Sequence, residues 1–467
     1  MIAGRRVAVV GAGPGGYVAA IRAAQLGADV TVIEKGALGG VCLNVGCIPT
    51  KVLLHAASLL SAAGDGRLHG LTFEVGPLDW KALMERKRAV VGHLVEGVAT
   101  LLRSNGIRLV EGEAEFESPG ELSVLKSGGA HEKIEADSVI VATGSRPATL
   151  PVPGMELEGV VDSTGLLSLD RIPESLMIAG GGVIGMEFAS AFASFGVDVV
   201  VVEALPEVLP SFDGEIARTL RESLAGRGVR FHTGSRVTGV TRNGSYLDAT
   251  VDTPEGPISL RAEKLLLSLG RRPVVEGLGL ERIGIALERG RIRVDRRMET
   301  SVGGVYAVGD CASPVMLAHV ASREGEVAAE NIMGGDALMD YRAVPSIVYT
   351  EPEVASVGLS EEEAVRAGLR VKIGRFPLSA NGKSVILNRA EGMVKYVVDE
   401  RYDEIAGVHI VGPGASELIA QGCLALRLEA TVDELISTIY AHPTVSEALC
   451  EGAASVRGVA INLPTKG

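Results

Sequence analysis

Apolar positions Val7 to Val10 run without interruption into Gly11-Ala12-Gly13-Pro14-Gly15-Gly16, and a small-residue stretch then leads to a second apolar run ending at Glu34. A continuous apolar run of four or five residues closed by glycine predicts a buried strand, and the small-residue stretch predicts a helix packed close to it. The same pattern returns further along: Val7 to Lys35 (VAVVGAGPGG…GADVTVIEK) is echoed by Leu176 to Ala204 (LMIAGGGVIG…GVDVVVVEA). Gly11 recurs as Gly180 and Glu34 as Glu203, a constant offset of 169 residues. Each copy reads strand, GxGxxG turn, helix, strand, terminal Glu, which is the dinucleotide-binding βαβ pattern.

A second echo pairs Val139 to Pro147 (VIVATGSRP) with Leu265 to Pro273 (LLLSLGRRP), each an apolar strand ending in Gly and a basic residue before Pro. These mark the last strand and the exit of each nucleotide unit. Beyond residue 273 come a Gly- and Arg-rich stretch, Thr300 to Asp310 (TSVGGVYAVGD) and a helical pattern from His319 to Met333, a segment that must complete an earlier core. From about residue 341 the pattern alternates over Ile347 to Tyr349, Gly392 to Val398 and Ile405 to Val411, and then turns helical over Ser416 to Leu428 and Thr431 to Tyr440. That succession predicts a separate α+β unit.

Length and charge narrow the function. A chain of 467 residues exceeds a single core and implies three or four units. A net charge of −13 and a pI near 5.3 leave no basic footprint for nucleic acid or anionic membrane. Apolar runs are cut by Gly or charge within about ten residues, so no membrane span is expected and the protein reads as soluble. Five cysteines are too few for a secreted disulfide framework, which favours a cytoplasmic setting with one specialised pair. Cys311, Cys423 and Cys450 lack metal-ligand spacing, and no metal site is expected.

In the first copy Gly11, Gly13 and Gly16 allow a tight turn, close approach of backbone to a pyrophosphate and close helix packing, with Glu34 placed to accept from ribose hydroxyls. Gly180, Gly182, Gly185 and Glu203 repeat the arrangement, so one chain should hold two dinucleotides. Directly after the first copy comes GGVCLNVGCIPTK, Gly39 to Lys51, leading into a helical run from Val52 to Ala62. Cys42 and Cys47 could be half of a zinc site or two structural thiols, but no second Cys or His pair is spaced to complete a zinc site. A helix N-terminus and Lys51 would instead lower a thiol pKa and favour the thiolate.

GGVCLNVGCIPTK, VIVATG, GGGVIGME, VYAVGD, MLAH (Met316 to His319) and AHPTVSE (Ala441 to Glu447) resemble the pyridine nucleotide-disulfide oxidoreductases, and the resemblance runs nearly end to end. It implies an α/β fold with two Rossmann-like dinucleotide-binding domains, for FAD and NAD, plus a C-terminal α+β dimerisation domain. The expected limits are 1–146 for the FAD domain with its redox cysteines, 147–272 for the NAD domain, 273–340 for a central domain completing the FAD core, and 341–467 for the dimer interface. By the same resemblance Asp310 bonds the flavin ribitol, and Lys51 pairs with Glu187 near the flavin. Ala114, Gly144, Met316, Leu317, Ala318 and His319 also face FAD, while the backbones of Val237 and Gly270 meet NAD. His442-Pro443 can adopt a cis bond that fixes the imidazole, and Glu447 lies close enough along the chain to orient one ring nitrogen. In the family this pair reaches the cysteines of the other subunit of a homodimer.

The implied activity is oxidation of protein-bound dihydrolipoyl groups, with Cys42 exchanging with the substrate and Cys47 facing the flavin. The carrier would be a lipoylated acyltransferase or lipoyl protein of a 2-oxoacid dehydrogenase or glycine cleavage complex. No lipoyl domain or Pro/Ala-rich linker precedes the first strand, so the sequence does not name that complex. Competing readings are an NAD(P)H-dependent glutathione-type or mercuric-type reductase and, from another class, a non-catalytic nucleotide-binding scaffold. Glu203 stands where an NADPH enzyme usually carries Arg, and the adjacent C-terminal cysteines of the mercuric type are missing from INLPTKG. Thr50, Val274 and Tyr440 depart from the residues the family commonly carries, Ser, Asn and His.

Overall fold

The computed structural model describes residues 4–464. They form two compact units, one built from 4–52, Ala82–Ala148 and Gly270–Asp340, the other from Leu53–Lys81, Thr149–Leu269 and 341–464.

The first unit is organised by a five-stranded parallel sheet in the spatial order Val305–Ala307, Ser138–Val141, Arg6–Val10, Asp29–Glu34, Arg108–Glu111. Its central strands are buried along nearly their whole length, as expected of parallel strands covered on both faces. The strand Val305–Ala307, from the stretch left without a partner at the sequence level, closes this sheet against Ser138–Val141. Helices Pro14–Gln25 and Ala318–Ile332 pack on each other at glycine contacts: a Cβ at Gly325 would come 2.5 Å from the Gly15 carbonyl oxygen. Close packing of this kind requires glycine at the contact, which explains the small-residue pattern of the first helix.

The second unit contains the equivalent sheet, Val160–Val161, Lys264–Leu267, Ser175–Ala179, Asp198–Val202, Arg230–His232, again all parallel. Each unit also carries a three-stranded antiparallel meander that the sequence reading did not anticipate. One is Glu113–Ser118, Glu121–Leu125 and His131–Glu135, and the other is Arg236–Asn243, Tyr246–Thr253 and Gly256–Ala262. A further sheet, of five antiparallel strands, runs Ser346–Val348, Glu353–Gly358, Ile405–Gly412, Met393–Asp399, Val371–Pro377. Its core gathers Phe376, Tyr396, Val408 and Ile410 with Ile419, Leu449 and Ala453 from the helices Ala415–Arg427 and Glu447–Val456.

Two expectations are corrected. The helical run placed from Val52 begins at Cys47, so the helix Cys47–Asp65 carries the second cysteine in its own first turn. Pro49 is compatible with that start, because first-turn N–H groups have no intrahelical acceptor. The run expected to stay helical to Tyr440 ends at Ser437, where Thr438 turns extended, so His442 stands on a loop. Gly40–His69 is long and apolar enough to pass for a span by length and composition, but the backbone breaks at Gly46 into the separate helices Gly40–Val45 and Cys47–Asp65.

The two exit echoes have a structural meaning. Ser145–Pro147 and Arg271–Pro273 pair with each other as an antiparallel ribbon, Arg271 opposite Pro147 and Pro273 opposite Ser145.

Candidate active site

The two glycine turns are built alike down to individual bonds. Gly11 N donates to Ile33 O and Gly180 N to Val202 O, both at 2.8 Å. Positive φ at Gly11 (101°) and Gly180 (108°) would strain any other residue, and a Cβ there would strike the carbonyls of Ala142 and Ser268. A Cβ at Gly16 or Gly185 would likewise run into the carbonyl of the first glycine of its own turn. The middle glycines differ, since a Cβ at Gly13 or Gly182 meets nothing within 4 Å. Gly13 and Gly182 are also the N-caps of twelve-residue helices, with no side chain capping the first turn. The first and third glycines therefore serve the protein's own packing, whereas the middle one lines a cradle where a helix N-terminus offers free N–H donors and favourable potential to a pyrophosphate.

Glu34 and Glu203 are equivalent as well. Glu34 Oε2 accepts from Ala12 N and Oε1 from Gly36 N, each at 2.7 Å. Glu203 Oε2 accepts from Gly181 N at 2.6 Å and Oε1 from Leu205 N at 2.7 Å. Each carboxylate is pinned beside its glycine turn and keeps acceptor capacity for hydroxyls.

The cysteine motif is stitched to the first turn. Gly39 N donates to Ala12 O at 2.8 Å, and Gly40 lies so close that a Cβ would approach Gly13 Cα to 2.8 Å. Gly39 and Gly40 both have positive φ, and a short helix, Gly40–Val45, then presents Cys42. Asn44 Nδ2 holds the motif by donating to Leu38 O and Gly40 O, both at 2.9 Å, and Thr50 Oγ1 donates to Gly46 O at 2.7 Å. The Cys42 thiol is hydrogen-bonded to Cys47. That bond, burial and the charge of Cys47 push the Cys42 thiol far above its usual range, while Lys51 pulls it down. The expectation of a lowered thiol pKa from Lys51 thus fails for Cys42, because the neighbouring sulfur and burial outweigh the cation. Tyr17, on the first helix, is raised by burial and by Cys42, which places the cysteine beside that helix.

Asp310 follows the strand Val305–Ala307 in a short helical turn, where it accepts from Ser145 Oγ. Ser145 in turn accepts from Arg271 Nε at 2.7 Å, and Arg271 Nη2 donates to Ser145 O at 2.7 Å. The turn is held from below by Glu324, a fully buried carboxylate that accepts from Gly309 N at 2.7 Å. Ser145, Arg271 and Glu324 were missed at the sequence level; the one available signal was the repeated basic-Pro exit, which supplies both Ser145 and Arg271. Cys311, next to Asp310, is fully buried and donates weakly to Val141 O and Val308 O, and burial pushes its thiol up to about 11. It is structural in this state.

Gly144, with φ of 71°, accepts from Val274 N at 2.9 Å, and Gly270, with φ of 93°, accepts from Ala148 N at 3.0 Å. Met316 and Leu317 lead into the helix Ala318–Ile332, whose first two residues are Ala318 and His319. Ala114 is buried in the first meander opposite Val124, and Val237 is buried in the second, at its bulge. Glu187 is 3% exposed rather than a surface charge, and Oε1 accepts from Tyr349 N at 3.1 Å.

His442 and Glu447 belong to the second unit. The His442-Pro443 bond is cis, and His442 Nδ1 lies 2.9 Å from Glu447 Oε1. Glu447 begins the helix Glu447–Val456, and its Oε2 accepts from Thr444 N at 2.8 Å. That backbone bond, followed by His442, holds the carboxyl below its ordinary value against the opposing effect of burial. With Nδ1 committed to a carboxylate, Nε2 is the ring nitrogen left to take a proton, and the His442 side chain is 79% exposed. Among the described residues no three His, Cys, Asp or Glu side chains are gathered as metal ligands.

Comparison with known proteins agrees with this geometry. Residues 5–325 match the family model described as pyridine nucleotide-disulphide oxidoreductase, and residues 344–453 match its dimerisation domain. The chain is 46% identical to a dihydrolipoyl dehydrogenase of Thermus scotoductus, over 97% of this chain and 98% of that one. It is 42% identical to dihydrolipoyl dehydrogenase 3 of Pseudomonas aeruginosa, with the same coverage. Among solved structures, LpdA from Mycobacterium tuberculosis superposes with a TM-score of 0.89 at 31% identity, covering 96% of this chain and 99% of that one.

Proposed function

We propose that this chain, which belongs to the pyridine nucleotide-disulphide oxidoreductase family, oxidises protein-bound dihydrolipoyl groups to lipoyl and passes the electrons to NAD⁺. It is an FAD- and NAD-using oxidoreductase, and the match to the dimerisation domain supports a homodimer. The observation that carries the reading is the direct seam between the Cys42–Cys47 motif and the first glycine cradle, through Gly39, Gly40, Ala12 and Gly13. One cradle carries a redox thiol pair and its twin does not.

The overall reaction consumes a dithiol and NAD⁺ and yields a cyclic disulfide, NADH and H⁺. In the oxidised enzyme Cys42 and Cys47 are joined. The partner subunit's His442, oriented by Glu447, takes a proton from one substrate thiol, and the thiolate attacks Cys42, breaking the Cys42–Cys47 bond. The second substrate sulfur then displaces Cys42 and closes the substrate disulfide. The proton of the second substrate thiol passes to the departing Cys42 sulfur, which leaves Cys47 as the electron-rich sulfur of the reduced pair. Bound FAD supplies the two-electron link between that sulfur and the nicotinamide.

The middle glycine cradle at Gly13 fits the FAD pyrophosphate, with Glu34 on the ribose, Asp310 on the ribitol and Ala114, Gly144 and Met316 to His319 along its length. Lys51 and Glu187 would pair near the flavin ring. Gly182, Glu203, Val237 and Gly270 would hold NAD. On this reading 1–146 and 273–340 make the FAD part, 147–272 the NAD part and 341–467 the dimer interface. A cytoplasmic setting and a lipoylated acyltransferase or lipoyl carrier as partner complete the proposal. The test is an assay of purified protein for bound FAD and for NAD⁺ reduction by dihydrolipoamide, with glutathione, Hg²⁺ and NADP(H) alongside. Turnover confined to glutathione or Hg²⁺ with NADPH would overturn it.

A further inference from the structure

We propose that Asn381 is a positioning residue for the His442 base, acting through the turn that carries His442. The inference rests on the reading of His442 as the proton acceptor. His442 stands on a loop with an exposed ring, so its aim depends on what fixes the turn Ala441 to Glu447. Three bonds are local to that turn: His442 Nδ1 with Glu447 Oε1 at 2.9 Å, Thr444 N to Glu447 Oε2 at 2.8 Å, and Thr444 Oγ1 to Ala441 O at 2.8 Å. At its far end the turn is anchored by Glu447, whose helix packs Ala448, Leu449 and Ala453 into the core, while the middle of the turn needs a hold of its own. That hold comes from Asn381, 63 positions earlier, whose Nδ2 donates to Thr444 O at 3.0 Å.

Asn381 is built for this. It is 4% exposed, and its Oδ1 accepts from Ser384 N at 2.8 Å and Ser384 Oγ at 2.9 Å, as the N-cap of the helix Gly382–Ile386. Because Ser384 N can only donate, the amide orientation is fixed with Nδ2 toward the Thr444 carbonyl. Ser384 is itself fully buried. A rigid buried cap therefore grips the middle of the turn, Thr444 passes the constraint to Glu447 Oε2, and Glu447 passes it through Oε1 to the imidazole. Supporting contacts of this kind typically change activity by about 10–100-fold when lost, because the reacting group drifts from its working geometry.

Asn381→Asp is near-isosteric and keeps both bonds from Ser384, but replaces the donor to Thr444 with a carboxylate facing a carbonyl. Asn381→Ala removes the donor without adding charge. In FAD-replete dimers, each variant should lose about tenfold in kcat/KM for dihydrolipoamide, while NADH-driven reduction of ferricyanide stays at the wild-type rate. Combined with His442→Gln, Asn381→Asp should add little further loss, because both changes act on one element. Equal loss in both half-reactions, a fully multiplicative double variant, or wild-type dithiol turnover in both single variants would each overturn the role of Asn381. The underlying reading fails separately, if His442→Gln alone leaves dithiol turnover intact.

Discussion

Lys395 is the most consequential buried charge in the second unit, and removing it should reveal how that unit is held. It lies on the strand Met393–Asp399 with a side chain only 2% exposed. Its Nζ sits 2.9 Å from Asp213, 3.0 Å from Glu215 and 2.8 Å from Glu361. The flanking strands place Arg375 and His409 directly opposite it, so three basic side chains form one row across the sheet. Burial keeps His409 below its ordinary value, and its nitrogens meet Ser356 Oγ and Leu359 O, both at 3.0 Å. Burial pushes Asp213 up, but Lys395 together with His409 and the Glu361 N–H outweighs it, and the carboxyl ends below its usual value; Glu215 behaves the same way with Arg375 adding to Lys395. Lys395→Met would leave the fully buried Asp213 carboxylate without its cation. Breaking a buried pair from one side costs about 3–5 kcal/mol. At roughly 2–4 °C per kcal/mol for a unit of this size, the transition of the second unit should fall by about 6–20 °C in calorimetry with FAD in excess.

The pH dependence gives a stricter test. The lowered Asp213 and Glu215 contribute stability that is present above about pH 4 and is lost as pH falls through their folded values. Lys395 is raised, so its contribution is present below about pH 10 and is lost as pH rises through its folded value. In Lys395→Met the burial effect on Asp213 loses its largest offset, so the carboxyl should titrate above its usual range and become neutral on mild acidification. The gap between variant and wild type should therefore be widest near neutrality and narrow toward about pH 4. Adding Asp213→Asn should recover part of the loss, since neither charge then remains. A gap below about 1 kcal/mol at pH 7.5, or one that does not change on acidification, would refute the reasoning.

Two further outcomes follow from the site. Cys42→Ser and Cys47→Ser should both abolish dithiol turnover with FAD retained, yet in reduced enzyme the long-wavelength thiolate-to-flavin absorbance should persist in Cys42→Ser and vanish in Cys47→Ser; the reverse pattern would exchange the two roles. Glu203 should give NAD at least about a hundredfold preference over NADP in kcat/KM, since a carboxylate facing a phosphate costs roughly 1–4 kcal/mol and the hydroxyl bonds are lost besides. Glu203→Ala should shrink that preference mainly by weakening NAD, and wild-type parity between NAD and NADP in steady-state kinetics would exclude the assignment.

What was legible in the chain is what lies close together along it. The glycine turns, the cysteine motif and the His442-Pro443-Thr444 run are each confined to a short stretch, so their chemistry is written in adjacent letters. Groups that act across long separations were not legible. Asn381 meets Thr444 across 63 positions, Ser145 meets Arg271 across 126, and Lys395 meets Asp213 across 182. Taken locally, Asn381 is a turn residue and Lys395 a polar position on a strand, and no periodicity marks either as a buried contact. The meanders were missed for a different reason: stretches such as His131–Glu135, exposed at every second position or more, alternate too briefly to stand out from loop.

On the proposed assignment, the duplicated cradle lets one scaffold hold two nucleotides while only one exchanges electrons with thiols. The turns agree at Gly11 and Gly180, at the open Gly13 and Gly182, and in the paired backbone bonds of Glu34 and Glu203. They part company after the terminal Glu. In the first copy the chain turns back through Gly39 and Gly40, two left-handed positions, and lays the Cys42 helix against Gly13. In the second it runs through Leu205 to Pro210, where Leu209 N bonds Gly181 O at 2.9 Å and Val208 packs beneath Gly181. Thiol chemistry is thus assigned to one nucleotide by a loop that only left-handed glycines can bring so close to the cradle. A side chain at Gly40 would be strained in φ and pressed against Gly13 Cα at 2.8 Å, so Gly40→Ala should push the cysteine helix away from the cradle while the second nucleotide site, built without any such loop, keeps its affinity for NAD. Titration of NAD⁺ binding beside dihydrolipoamide turnover in Gly40→Ala would separate the two sites, and equal loss in both would show that they are not independent.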